Sequence, residues 1–582
     1  MSDVKTNVVR RRFIWAGAAM AAVALGALPP LQGAETSPSR RPNVLYVFSD
    51  MQRASSLGCY GDPNVHTPTL DAFAKQGARF DAAISNTPVC CPHRACLMTG
   101  LYGHHHGVVS NLVHFTRECR GLAEDFRDAG YVTGYAGKWH IPGGFGSEGS
   151  MPLGFPRESL LDTRRKETLA LGHYIHVTVR DESGREVLKE VYKPTFLADE
   201  AIRFIEEKSK GKAPWLFFLS WLPPHTPYAA PREFRKHYEG KLQLPPNVPE
   251  GSSTEYARAC LPDYYGMVES LDVEFKRILD ALDRAGVAQD TIVCYSSDHG
   301  DMLGCQGCKA KRWPYEESAR VPFLIRYPRA IPAGQVIVDP FSTVDVYPTL
   351  AGLAGLKPPE GLDGLDYSPL VTGKTSKPPR DYVFLQMMYA YVPWPGWRAL
   401  RTREYTYARK VDGPWLLYHT TKDPYQLKNL VDDPASQSLL KEMDQRLAAI
   451  MKETGDSWDI KASTGDIAAW VSGGPKERSQ NLAAPQAGGP GESRKEETAG
   501  AGGRKRGGGQ RKASAAGAGG GAAESDSRLQ QLLRRFPDAD ANGDGILTRE
   551  EARAYLQRAR QGQDKGQDKG QDKGKGGQAK KE

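Results

Sequence analysis

Three short runs set the terms for the fold. Asn43 to Phe48, Trp215 to Trp221 and Thr291 to Ser296 are almost continuously apolar. Each stops against polar residues: Ser49-Asp50, Pro223-Pro224-His225 and Asp298-His299-Gly300. A strand wetted on one face alternates apolar and polar side chains. A strand without that alternation is buried on both faces, as in a parallel sheet covered by helices. Helical patterns lie between the runs. Leu70 to Gly77 reads as a helical turn pattern, and residues 263–285 repeat apolar side chains at Met267, Leu271, Phe275, Ile278 and Leu282. The sequence therefore predicts an α/β unit over residues 42–370, with a mostly parallel central sheet flanked by helices. Sheets of this kind place their sites beyond the carboxyl ends of the strands, where Asp50, His225, Asp298 and His299 fall.

The rest of the 582-residue chain divides by composition. Tyr382 to Met388 and Trp397 to Lys410 are aromatic-rich and alternating, and Leu439 to Met451 is amphipathic. Residues 371–472 are thus expected to form a smaller C-terminal α+β subdomain with an antiparallel sheet. Residues 473–527 are dominated by Gly, Ala, Pro, Ser, Arg and Lys. They cannot bury enough apolar surface to offset chain entropy, so a disordered linker is expected. Residues 528–560 carry a separate motif, and residues 561–582 include a threefold Gly-Gln-Asp-Lys repeat.

Charge follows the same divisions. From residue 473 onward there are 22 Lys and Arg against 15 Asp and Glu, which accounts for most of the net +8. The folded body is close to neutral, so the composition gives no reason to expect a nucleic-acid partner. Arg10-Arg11-Arg12 precedes sixteen uncharged residues, Phe13 to Leu28, which are rich in alanine. That run is short for a membrane span and fits a cleaved export signal over residues 1–35. Its Arg-Arg-x-Phe-Ile pattern resembles the twin-arginine type. An exported bacterial protein, periplasmic or extracellular and without a stable membrane span, is expected. There are nine cysteines; Cys305-Gln-Gly-Cys308 has a redox or metal half-site spacing, but no second CxxC or paired His follows, so it reads as a loop open to a disulfide.

The sharpest local signal is Cys90-Cys91-Pro92-His93-Arg94, followed by Leu97-Met98-Thr99-Gly100. A buried cysteine is ordinarily structural, although an arginine four residues on can favour its thiolate. The wider context points elsewhere. Cys-x-Pro-x-Arg with Leu-x-Thr-Gly resembles the signature of the formylglycine-dependent sulfatases, of the alkaline phosphatase superfamily. Further segments resemble that family in order across about residues 42–327. They are Arg41 to Leu45 with Ser49-Asp50 and Leu57 to Gly61, Gly134 to His140, Pro223 to Tyr228, Ser297 to Gly304, and Lys311 ahead of Tyr315 to Pro322. Asp-Pro-Tyr-Gln-Leu from Asp423 resembles the family's C-terminal subdomain.

The resemblance implies an alkaline-phosphatase-like fold and hydrolysis of sulfate esters, on carbohydrate or aryl groups. It implies oxidation of Cys90 to formylglycine by a maturase. One hydroxyl of the hydrated aldehyde would attack sulfur in line. His140 would then take a proton from the other, releasing sulfate. Arg94 and Lys138 would hold the diol, and Lys311 and His225 the sulfate and the leaving oxygen. A divalent metal, calcium before magnesium or manganese, would sit on Asp50, Asp298, His299 and residue 90. Calcium takes about six to eight oxygen ligands, so substrate and water would complete the shell.

The chain departs from the family at three places. His93 stands where Ser is usual before the Arg. Met51 follows Asp50, where a second Asp or Gln is common, and a thioether does not suit calcium or magnesium; either Gln52 or water fills the gap, or the site takes a different ion or binds weakly. His299 stands where many sulfatases have Asn, as in the choline-sulfatase and phosphonate-hydrolase branch. A phosphonate monoester or phosphodiester hydrolase on the same scaffold is therefore the alternative, followed by a non-catalytic binder of sulfated glycans. The successive His104, His105 and His106 are expected in a polar loop rather than on one ion. Substrate contacts are expected from residues 144–192 and 389–397.

A second calcium signal stands apart. Asp540, Asn542, Asp544, Ile546 by its carbonyl, Thr548 and Glu551 occupy the ligand positions of a twelve-residue EF-hand loop, with Gly545 at the sharp turn.

Overall fold

The computed structural model describes residues 41–458, apart from 112, 114–118, 142–152, 154, 156–159, 162–172, 181–185, 241 and 389–395. The export segment, the linker, the EF-hand pattern and the repeat tail lie outside the described residues. So does much of the two stretches from which substrate contacts are expected.

The main sheet has eight strands: β1 (Asn43–Ser49), β2 (Ala78–Phe80), β3 (Val132–Gly137), β4 (Leu160–Leu161), β5 (Trp215–Ser220), β6 (Thr291–Ser297), β7 (Phe323–Arg326) and β8 (Gln335–Ile337). Their spatial order is β8-β2-β7-β6-β1-β5-β3-β4. All neighbouring pairs are parallel except those made by β7, which runs antiparallel to β6 and β2. The three apolar runs are the central strands β1, β5 and β6, and every residue of each is buried.

Alternate residues of β1 feed two cores. Val44, Tyr46 and Phe48 pack on one face with α2 (Cys90–Thr99), α3 (Leu122–Asp128) and α7 (Val346–Leu353). Leu45 and Val47 pack on the other with α1 (Pro68–Lys75), α4 (Lys193–Lys208) and α5 (Ser252–Arg284). Each such side chain contributes roughly 1.5–3 kcal/mol by burial. Truncating Leu45, which is fully buried, to Ala should cost about 2–5 kcal/mol. The 263–285 periodicity belongs to α5, which begins about three turns earlier than the pattern suggests. Its Asp272 accepts the backbone N–H groups of Thr69 (3.1 Å) and Leu70 (2.7 Å), capping α1 across the interface.

The C-terminal sheet is a four-stranded antiparallel meander: β9 (Tyr382–Met387), β10 (Trp397–Thr402), β11 (Tyr405–Lys410) and β12 (Gly413–His419). The Trp397 to Lys410 stretch is thus two strands and a tight turn. The amphipathic helix α8 (Gln437–Thr454) lays Leu440, Met443, Leu447 and Ile450 against Phe384, Leu400, Tyr407 and Leu417.

Two local expectations are corrected. His104 to His106 lie in a helical turn (Gly103–His106), not a loop, though they do not converge. His104 bonds the Thr454 carbonyl, His105 pairs with Asp363 and His106 meets Cys96. Cys305 to Gly307 form a 3₁₀ turn, and no disulfide joins Cys305 to Cys308. No described helix is long and apolar enough to cross a membrane.

Candidate active site

Backbone register builds the site. Ser49 of β1 pairs with Ser297 of β6, so the residues that follow, Asp50 and Asp298, emerge side by side. The Asp298 N–H donates to the Ser49 carbonyl at 3.1 Å. On the other side of β1, Phe48 pairs with Ser220 of β5, which pairs with Gly137 of β3. Lys138 follows Gly137, and its N–H donates to the Ser220 carbonyl at 3.0 Å. Four adjacent strands thus end on one line and deliver Asp50, Asp298 and Lys138.

Helix α2 supplies the fourth wall. Cys90 is its first residue and Arg94 lies one turn on, so both side chains share a face. The Arg94 guanidinium donates to Asp298 Oδ2 (3.0 and 3.2 Å), Asp50 Oδ2 (3.0 Å), Ser220 Oγ (2.7 Å) and the Lys138 carbonyl (2.6 Å). Lys138 Nζ pairs with Asp50 Oδ2 and lies 3.6 Å from Cys90 Sγ. Lys311 Nζ lies 2.8 Å from Cys90 Sγ and 3.4 Å from His225 Nε2.

The donor set fits a metal ion. Arg94 occupies the Oδ2 atoms of both carboxylates, and Lys138 that of Asp50, leaving the Oδ1 atoms inward. Asp50, Asp298, His299 Nε2 and Cys90 Sγ offer ligand atoms within 4.8 Å of one another, all buried. His299 Nδ1–H donates to the Gly300 carbonyl at 2.9 Å, so that in the neutral ring the lone pair lies on Nε2, the tautomer a ligand needs. Gln52 does not contribute its oxygen as expected: Oε1 accepts from Ser49 Oγ (2.7 Å) and Tyr295 OH (2.8 Å). Met51 is buried with φ 70°, and its N–H points to Asp298 Oδ1 at 3.2 Å.

The electrostatics are strongly positive around residue 90. Burial would raise the Cys90 thiol, but Lys138, Lys311 and His299 outweigh it and hold it well below its ordinary value. Burial and the neighbouring Asp50 push Asp298 up to about 6. Burial and Cys90 also favour a protonated Asp50, yet Lys138, His225 and Lys311 keep it below the usual carboxylate range. His140, with φ 58°, is lowered to about 4, chiefly by burial, with Lys138 acting in the same direction. It is neutral at physiological pH, as a base must be.

All nine residues expected from the sequence therefore meet here. The sequence reading missed three others. Ser220 holds Arg94 and is marked only by ending a buried strand. Tyr228 donates to Asp301 Oδ2 at 2.6 Å and links the His225 loop to the Asp298 loop. Ser85 explains the departure at His93: the imidazole and Ser85 Oγ are 2.8 Å apart, and Ser85 donates to the Asp298 carbonyl at 2.8 Å. His93 thus braces the metal loop at second hand.

Residues 42–356 match the sulfatase family, and residues 304–453 match the C-terminal region of N-sulphoglucosamine sulphohydrolase. The chain belongs to the sulfatase family. Among its relatives, this sulfatase is 35% identical over 427 residues to an ulvan-active sulfatase of Formosa agariphila, an alignment covering 72% of this chain and 82% of that one. It is 25% identical over 523 residues to an N-acetylglucosamine-6-O-sulfatase of Bacteroides thetaiotaomicron, covering 75% and 90%. A phosphonate monoester hydrolase of Agrobacterium radiobacter shares the fold at a TM-score of 0.61 and 24% identity, covering 71% of this sulfatase and 96% of that chain.

Proposed function

We propose that this sulfatase removes sulfate from esters on carbohydrates, with residue 90 as nucleophile after maturation to formylglycine. The carrying observation is the convergence of Lys138, Lys311 and Arg94 with four metal-type donors at residue 90. A sulfate monoester is an anion, so an anionic site would repel it. Two relatives named for sulfated sugars support the carbohydrate class.

Asp50, Asp298, His299 and residue 90 would hold a divalent cation, calcium in our reading. When present, formylglycine supplies a hydrated aldehyde and the cation supplies charge neutralisation at the ester. The chain's own residues do the rest. Arg94 fixes both carboxylates. Lys138 holds the residue 90 side chain. Lys311 and His225, 3.4 Å apart, face the sulfate and the leaving oxygen, and one of them donates a proton to it. His140 accepts a proton from the residue 90 side chain.

Mass spectrometry of the tryptic peptide spanning residues 80–94, from protein made with an active maturase, tests the first premise: an unmodified Cys90 thiol refutes it. Rates on aryl sulfate, sulfated saccharide, phosphonate and phosphodiester substrates test the reaction class. If a phosphorus ester is cleaved orders of magnitude faster than every sulfate, the phosphonate-hydrolase alternative replaces this one.

In the same reading the N-terminal arginines and apolar run direct export, residues 473–527 act as a linker, and Asp540 to Glu551 bind a second calcium ion that serves attachment or stability.

A further inference from the structure

A cleft of about 520 Å³ opens where the C-terminal sheet meets the edge of the main sheet, and no residue of the catalytic cluster lines it. Its size is in the range that holds small ligands. Four arginines line it: Arg79 from β2, Arg320 just after α6 (Glu316–Ala319), and Arg401 and Arg403 from the β10–β11 hairpin. Two carboxylates oppose them, Asp81 and Glu316.

Both carboxylates are paired with arginines. Glu316 Oε1 accepts Arg401 Nε at 2.8 Å, and its Oε2 lies 2.9 Å from Arg320 Nε. Asp81 Oδ1 accepts Arg79 Nε at 2.9 Å. Arg79 also packs over the Tyr60 ring at 5.3 Å. Hydrogen bonds thus hold the guanidiniums of Arg79 and Arg401, and an ion pair holds that of Arg320. Arg403 is exposed at the mouth. An arginine offers five N–H donors in a planar fork, so each tethered one keeps donors in hand. Four guanidiniums against two carboxylates leave the cleft a net positive concavity. An incoming anion meets an excess of guanidinium donors.

We propose that this cleft is a second anion subsite, holding a sulfate or carboxylate group of a sulfated saccharide chain outside the catalytic centre. It rests on the carbohydrate reading above. A polymer bearing many such groups presents several at once, and a second anchor raises the effective concentration of its chain at the enzyme.

The test uses the full-length enzyme, with dextran sulfate and uncharged dextran as binding probes, inorganic sulfate as competitor and 4-nitrophenyl sulfate as the small substrate. Arg403→Glu should weaken dextran sulfate binding about tenfold, in line with loss of one charge-assisted contact. Its kcat/KM on 4-nitrophenyl sulfate should stay within about twofold of wild type, because Arg403 is exposed and the cleft it lines contains no residue of the catalytic cluster. Arg403→Lys should recover part of the affinity. The basic C-terminal tail is common to all the proteins, so its contribution cancels. Unchanged dextran sulfate affinity in both Arg403→Glu and the Arg79→Gln/Arg403→Glu double variant would overturn the proposal. So would inorganic sulfate displacing the polymer as tightly, per sulfate, as the polymer binds, which would make this a free-anion site. If Arg403 governs dextran sulfate binding but no saccharide is desulfated, the subsite stands and the substrate reading falls. If saccharides are desulfated and Arg403 is silent, the reverse holds.

Discussion

The Tyr228 hydroxyl donates to Asp301 Oδ2 at 2.6 Å and so fastens the segment carrying His225 to the segment carrying Asp298 and His299. Asp301 is fully buried, and its other oxygen takes the Leu303 N–H at 3.3 Å. Removing the phenol strands a buried carboxylate oxygen, at a cost of about 1.5–3 kcal/mol. Tyr228→Phe should therefore fold with a modestly lower Tm. Its kcat should fall about tenfold, while KM changes little. Tm and steady-state kinetics on an aryl sulfate check this. Unaltered kcat would show that His225 is positioned without the link.

Metal binding can be read without turnover. In a Cys90→Ala variant whose EF-hand loop is also silenced by Asp540→Ala and Glu551→Ala, added calcium should raise Tm by an amount equivalent to about 2–3 kcal/mol at a hundredfold excess over Kd, since only the folded state brings Asp50, Asp298 and His299 together. The further change Asp298→Asn should abolish that shift while leaving the metal-free protein folded. Thermal-shift titrations with calcium, magnesium and manganese rank the ions. A shift that survives Asp298→Asn would place the ion elsewhere.

Gly137 has φ 103°, and a Cβ there would lie 1.9 Å from the Ser220 carbonyl oxygen, the acceptor of the Lys138 N–H. Gly137→Ala must push β3 off β5 just where Lys138 leaves the sheet. A loss of about 2–4 kcal/mol is expected, together with near-complete loss of turnover. Chemical denaturation and activity measured side by side would reveal it. Wild-type stability in this variant would contradict the close approach.

His173 gives a pH signature. Its Nε2–H donates to the Pro227 carbonyl at 2.8 Å, and burial lowers its pKa to about 4. The unfolded chain takes up that proton near pH 6.5, so its contribution to stability is full above about pH 6.5. As pH falls from about 6.5 to about 4 the contribution is lost, up to an order of 3 kcal/mol. His173→Gln should flatten the acid limb of Tm against pH over that interval. An unchanged slope would assign the acid limb to other groups.

Much of this was legible in the sequence because the informative residues are local to the ends of apolar runs. Asp50, Asp298 and Lys138 each follow a buried strand directly, and Cys90 and Arg94 share one helical turn. The partners that hold them are far away in sequence: Ser220 is 126 residues from Arg94, and Ser85 is 213 from Asp298. Such pairings follow from strand register, which periodicity does not specify. Gln52 shows the same limit. Its neighbour Asp50 suggested a ligand, but a single φ of 70° at Met51 coincides with an amide turned toward Tyr295. The arginine cleft was invisible too, because its four guanidiniums come from three separated stretches of chain.

The alignment of four strand ends has a further consequence. Placement of the reacting groups is enforced by main-chain pairing of buried strands, whereas the surrounding rim carries no such duty. Descendants of this scaffold could exchange one acceptor alcohol for another by rebuilding the rim alone, with the machinery for breaking the sulfur–oxygen bond inherited intact.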